Sequence, residues 1–175
     1  MNPKPLLAVL FAFLLVSSAS FALDVGARPD PVPFDDTIDM GMTAAATVEA
    51  RERGIEIPRA EVFYSQYRYV VGYHGVSSLA DELGREGHAR QFGSPMAVYV
   101  TDYANAQPTV DSDGFVRVSD SPSTYVDWVA ADDASFVVGS RARTPSGEAV
   151  VPFSSRSAAE SFADEYGGEI LDWDA

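Results

Sequence analysis

From Ser135 to Trp173 the chain reads SFVVGSRARTPSGEAVVPFSSRSAAESFADEYGGEILDW, and this stretch limits the fold more than any other. An apolar run suited to a strand comes first, then a polar turn and a second strand. A helix follows, stopped by Gly167-Gly168, and Glu169 to Trp173 forms a last strand. Ala159, Phe162, Ala163 and Tyr166 fall on one helical face at i, i+3, i+4 and i+7. That face is expected to lie on the sheet.

Much of this pattern occurs earlier in the chain. Tyr69 to Tyr73, Ser77-Ser78 and Ala80-Asp81-Glu82-Leu83-Gly84 match Ala149 to Phe153, Ser154-Ser155 and Ala163-Asp164-Glu165-Tyr166-Gly167 in order and type. Each helix carries a capping signal, Ser78 before Asp81 and Ser157 before Glu160. Serine caps and glycine stops are common singly, but five shared features in one order favour duplication over coincidence. The expected fold class is α+β: two similar strand–helix–strand (ββαβ-like) halves, about 59–120 and 128–175, forming one domain with helices packed on a mainly antiparallel sheet.

The remaining elements follow from local signals. A helix is expected from Ala44 to Arg53, capped by Thr43 and ended by Gly54. Glu61 to Tyr73 is aromatic and β-branched, with Ser65-Gln66 able to break it into a hairpin. A strand is expected from Met96 to Tyr103, with Met96 buried at its start, and a hairpin turn at Asp113-Gly114. Ser119 to Thr124 is a connector.

The N-terminus has the features of an export signal. Lys4 precedes the apolar run Leu6 to Val16, and Ser20-Phe21-Ala22 is a small-x-small cleavage site. Residues 1–22 are therefore read as a signal peptide, 23–36 as a flexible tether and 37–175 as the domain. An uncleaved membrane anchor is the alternative, in which case the N-terminal segment is the contact with the membrane. Either way the domain is expected outside the cytoplasm, at the cell membrane or secreted.

Charge narrows the partners. The 175 residues carry a formal net charge of −14, and Lys4 is the only lysine. Such a surface repels phosphate, which argues against nucleic acid and anionic lipid. Scattered acids with few lysines fit a protein that stays soluble in concentrated salt. No cysteine is present, which excludes disulfides, thiolate metal sites, thiol nucleophiles and a lipid-modified cysteine.

Three stretches resemble the NosL family, copper-binding accessory proteins of nitrous oxide reductase assembly. They are Val98-Tyr99-Val100-Thr101-Asp102-Tyr103, the segment from Phe136 through Pro145-x-Gly147 to Phe153, and the final helix with Gly167 to Trp173. The resemblance covers the last half of the chain well and the first half loosely. It implies an exported domain with two similar β/α halves. The family's copper motif is C-x-x-C-G-M, with a further methionine in P-M-G. Here Gly41-Met42 fit the end of the first motif, Met40 and Thr37 stand at its cysteine positions, and Ser146 stands at the P-M-G methionine.

Met40-Gly41-Met42 is thus the candidate metal segment. Cu(I) is soft and accepts thioethers, which need no deprotonation. His74 is the candidate third ligand. Met40 and Met42 as plain core fillers, and His74 and His88 as surface polar residues, are the alternatives. Asp111-Ser112-Asp113-Gly114 resembles the start of a calcium loop, but Pro122 stands where a bidentate glutamate is needed. No nucleophile–base spacing points to an enzyme. The expected function is delivery of Cu(I) to a copper enzyme or membrane assembly complex. The alternative is a metal-free interaction module docking through the aromatic strand Phe63 to Tyr73.

Overall fold

The computed structural model of the chain describes residues 28–118 and 127–173. The signal segment at 1–22, the start of the tether and the connector at Ser119 to Thr124 lie outside the described residues.

The first elements are β1 (Ile38–Met40) and helix α1 (Ala44–Glu52). Thr43 caps α1 by accepting the Ala46 N–H, and Gly54 at φ +61 ends it. Then come β2 (Arg59–Tyr64), β3 (Val71–His74), α2 (Val76–Leu83), the short α3 (His88–Phe92) and β4 (Pro95–Asp102). The hairpin β5 (Thr109–Val110) and β6 (Val116–Arg117) follows, and β7 (Asp127–Ala130) closes this half. The second half holds β8 (Ser135–Val138), the hairpin β9 (Arg143–Thr144) and β10 (Gly147–Glu148), β11 (Val151–Phe153), α4 (Arg156–Tyr166) and β12 (Glu169–Asp172).

The duplication is visible in the topology. In the first half β2 is central, with β3 antiparallel on one side and β4 antiparallel on the other. In the second half β8 is central, with β11 and β12 antiparallel on its two sides. In both, the helices lie between the second and third strands of the unit. β3 begins at Val71 and β11 at Val151, while α2 begins at Val76 and α4 at Arg156, so the two units match at a constant offset. They diverge elsewhere: α4 is longer by about one turn, the short α3 follows α2 only in the first unit, and the β9–β10 hairpin interrupts only the second.

The units form two sheets rather than one continuous sheet. β1 and β7 extend the first to the order β1-β3-β2-β4-β7, and the second is β11-β8-β12. β1 pairs parallel with β3, while every other strand pair among the described residues is antiparallel.

Residues Phe136, Val137 and Val138 form an unbroken apolar run because β8 is covered on both faces. Val137 packs with Phe153, Ala159, Phe162 and Tyr166 under α4. Phe136 and Val138 instead join Val62, Val71, Tyr73, Leu79 and Val100 of the first half. Burying a side chain such as Phe136 stabilises by about 1.5–3 kcal/mol, so the shared strand binds the halves into one core. The sheets also meet where the Tyr103 N–H donates to the Pro152 carbonyl at 3.2 Å.

Both capping assignments need correction. α2 starts two residues before Ser78, and the Ser78 hydroxyl donates to the His74 carbonyl instead. α4 is capped by Ser155, which accepts the Ala158 N–H, so Ser157 lies inside the helix. In the first unit the cap position is Gly75 at φ +110, a conformation glycine takes readily, and no side chain caps the helix there.

The segment from Arg28 to Thr37, most of it within the stretch read as a tether, lies across the first sheet. Phe34 is buried there in a short 3₁₀ turn, Phe34–Asp36. No helix among the described residues is long and apolar enough to cross a membrane.

Candidate functional site

Met40 is the last residue of edge strand β1 and lies opposite Tyr73 of β3. Parallel partners share a face, so its side chain points with Tyr73 toward the main core, where it packs half-buried. Gly41 then turns the chain out of the sheet at φ +95. A Cβ there would meet the Ser78 Cβ at 2.7 Å and the His74 carbonyl at 3.1 Å, so only glycine passes the entrance of α2. Met42, also half-buried, packs on Ala50, Ile55, Ile57 and Phe115. The two thioethers therefore enter different apolar clusters.

His74 faces the other way. It shares the face of Gly72 and Asp39, and its Nε2 lies 3.3 Å from Asp39 Oδ2. The Phe34 ring stands edge-on at 4.8 Å. His74 is buried, not a surface residue, and the sheet separates it from Met40. Thr37 is on that same far face, with its hydroxyl donating to the Phe34 carbonyl at 2.7 Å. An extended strand alternates its side chains, so positions 37 and 40 diverge. Ser146 is exposed in the β9–β10 turn, its N–H donating to Thr144 Oγ1. Met42's cluster reaches that hairpin's base through Phe115, which bridges to Arg143. Among the described residues no group of three or more His, Cys, Asp or Glu is placed to hold a metal ion.

Several other expectations change. Met96 is half-exposed at the start of β4 rather than buried. His88 is buried at 3% exposure, its Nδ1 3.1 Å from Glu82 Oε1, because Tyr64 and Phe92 close around its ring. Arg85 and His88 hold the Glu82 carboxyl below its ordinary range. The aromatic stretch Phe63 to Tyr73 is part core and part surface: Tyr64 and Tyr73 are buried and share a 2.9 Å hydroxyl contact, while Ser65, Gln66, Arg68 and Tyr69 are exposed. Burial pushes the Tyr73 hydroxyl up to about 12. The Asp111 loop is a hairpin device. Its carboxylate accepts the Asp113 and Phe115 N–H groups and the Arg117 guanidinium, which together hold it low.

Two features had little signal in the sequence. Asp102 accepts the Ala104 and Ser154 N–H groups and the Ser154 hydroxyl, fastening the end of β4 to the residue after β11. Glu61, in the middle of β2, is fully buried beneath the N-terminal strap. Its Oε1 accepts the Val32 N–H at 3.0 Å, while its Oε2 has no partner. Burial pushes its carboxyl up to about 7, opposed by the Val32 bond. A carboxylate within the otherwise apolar run Ala60 to Tyr64 was the one available hint.

A solved structure shares this architecture. The copper chaperone NosL from Shewanella denitrificans superposes with a TM-score of 0.53 at 24% identity, over 69% of this chain and 79% of that one. The apo-NosL protein from Achromobacter cycloclastes gives a TM-score of 0.40, also at 24% identity, over 65% of this chain and 81% of that one. In sequence, the copper-binding lipoprotein NosL of Achromobacter cycloclastes is 34% identical over 114 residues. That alignment takes in 64% of this chain and spans about half, 47%, of the relative's length. The NosL family profile matches residues 54–175, beginning after Met42. With most of the chain matched and the paired ββαβ units in place, the chain belongs to the NosL family.

Proposed function

We infer that the chain is an exported accessory protein that carries Cu(I) to a copper enzyme such as nitrous oxide reductase, without itself being an enzyme. The observation that carries this reading is Met40-Gly41-Met42 at the end of an edge strand, with both thioethers half-buried and Gly41 at the surface. Thioethers are neutral and soft, so they take Cu(I) without releasing protons and give it up by exchange. Gathering both on one ion takes each out of apolar contact, at about 1 kcal/mol apiece. Affinity is then about thirtyfold below that of a preformed pair. His74 contributes from the far face only if β1 moves.

Cu(I) titration against a competing chelator tests this reading. The wild-type chain is expected to take one Cu(I), and Met40→Ala/Met42→Ala to lose at least tenfold in affinity. Equal weak binding by both ends the copper reading.

A second reading is favoured by the divergence of the methionines into separate clusters. On it, the domain is a metal-free interaction module of a membrane-associated complex. A partner enzyme bound equally well with and without a Cu(I) chelator supports this version.

A further inference from the structure

The strap from Arg28 to Thr37 is held to the first sheet mostly by side chains. Arg28 pairs with Asp132 at 2.6 Å, and the Tyr99 hydroxyl donates to the Pro29 carbonyl at 2.6 Å. The Val32 N–H donates to Glu61, and Phe34 stacks on Trp128 at 6.3 Å. Glu61 lies under this strap with one carboxylate oxygen unpartnered.

Among the described residues no cation pairs with that carboxylate. Arg28 is taken by Asp132, and the Arg59 guanidinium lies 5.1 Å over the Phe34 ring. His74 is held by Asp39, and Tyr99 is spent on Pro29. The charges remaining on the strap and on the turn after β7 are Asp30, Asp35, Asp36 and Asp133, all negative. A buried anion with a single N–H partner is costly, and lifting the strap is the simplest way to hydrate it.

We propose that the strap is a proton-linked latch, seated over Glu61 when that carboxyl is neutral and loosened when it ionises. The strap runs directly into β1, so loosening it also frees the backbone that carries Met40; this last link rests on the copper reading above. The direction follows from linkage. The seated state raises the Glu61 pKa from 4.5 to about 7. Seating is therefore fully supported below about 4.5, weakens as pH rises toward 7, and stays weakened above it. Each unit of difference is tenfold in the equilibrium, so seating falls by tens to hundreds of fold across this range.

Amide hydrogen exchange of the full chain without metal, corrected for intrinsic rates, reads the latch directly. Between pH 5 and pH 8 the peptide containing Val32 should lose protection by tens to hundreds of fold, while β8 peptides hold theirs. Glu61→Gln should keep the strap protected throughout. Gly72→Ala, which crowds the strap, should leave it open at both pH values. A pH-independent strap in the wild type, or the same loss in Glu61→Gln, overturns the proposal. If Glu61→Gln does not fold, NMR titration of the Glu61 carboxyl decides. It should give about 7 in the wild type and an ordinary value in Gly72→Ala, and an ordinary value in the wild type refutes the latch. None of these readouts involves copper, so the latch and the copper reading fail separately.

Discussion

Gly72→Ala puts a methyl group where the strap already sits. A Cβ on Gly72 would lie 2.0 Å from Thr37 Oγ1 and 2.9 Å from both Thr37 Cβ and Phe34 Cε2. Comfortable contacts are about 3.5–4.0 Å, so the structure must yield. The Thr37 hydroxyl is fixed by its bond to the Phe34 carbonyl, and a β-branched side chain has few rotamers to escape into. Overpacking of this kind costs about 1–3 kcal/mol. Alanine in a strand recovers about 0.5–1 kcal/mol through the unfolded chain, because Gly72 has no positive φ to forbid it. The net expectation is a loss of about 1–2 kcal/mol, or a Tm lower by about 2–8 °C for a chain of this size. Thermal unfolding measures it, and hydrogen exchange should place the change in residues 28–37. Thr37→Gly combined with Gly72→Ala should recover part of the loss, since two of the three close contacts disappear. A neutral or stabilising Gly72→Ala would falsify the tight notch and with it the seated strap.

Two further substitutions probe the scaffold. Asp102→Ala should destabilise by about 2–3 kcal/mol in urea unfolding, because it leaves two N–H groups and one hydroxyl without their acceptor at the join between the sheets. Ser155→Ala should cost about 1 kcal/mol as loss of a helix cap, and Ser157→Ala no more than about 0.5 kcal/mol, a contrast that reverses if Ser157 is the cap after all.

The second half was largely legible because its signals are local. Ala159, Phe162 and Tyr166 repeat at helical spacing, and all three form the buried face of α4 as that spacing requires. The match between Tyr69–Gly84 and Ala149–Gly167 likewise reflected equivalent strands and helices. The candidate site was less legible. Reading Met40, Met42 and His74 together assumed that residues close in sequence or loop position converge. The backbone of β1 instead sends Met40 to one face and leaves His74 on the other, and Gly41 aims Met42 into a third environment. His88 was missed for a related reason: its burial depends on Tyr64, Phe92 and Glu82, each from a different element.

Taken alone, the order of residues determined the element types, the repeated unit and the kinship, since periodicity, glycine stops and strand composition act within a few residues of each other. Tertiary structure decided which face each donor occupies, that β8 serves both cores, and that a proline-rich leader settles over a buried glutamate. Those outcomes depend on strand pairing between distant segments, and a contact across a sheet leaves no periodic trace in the chain that makes it.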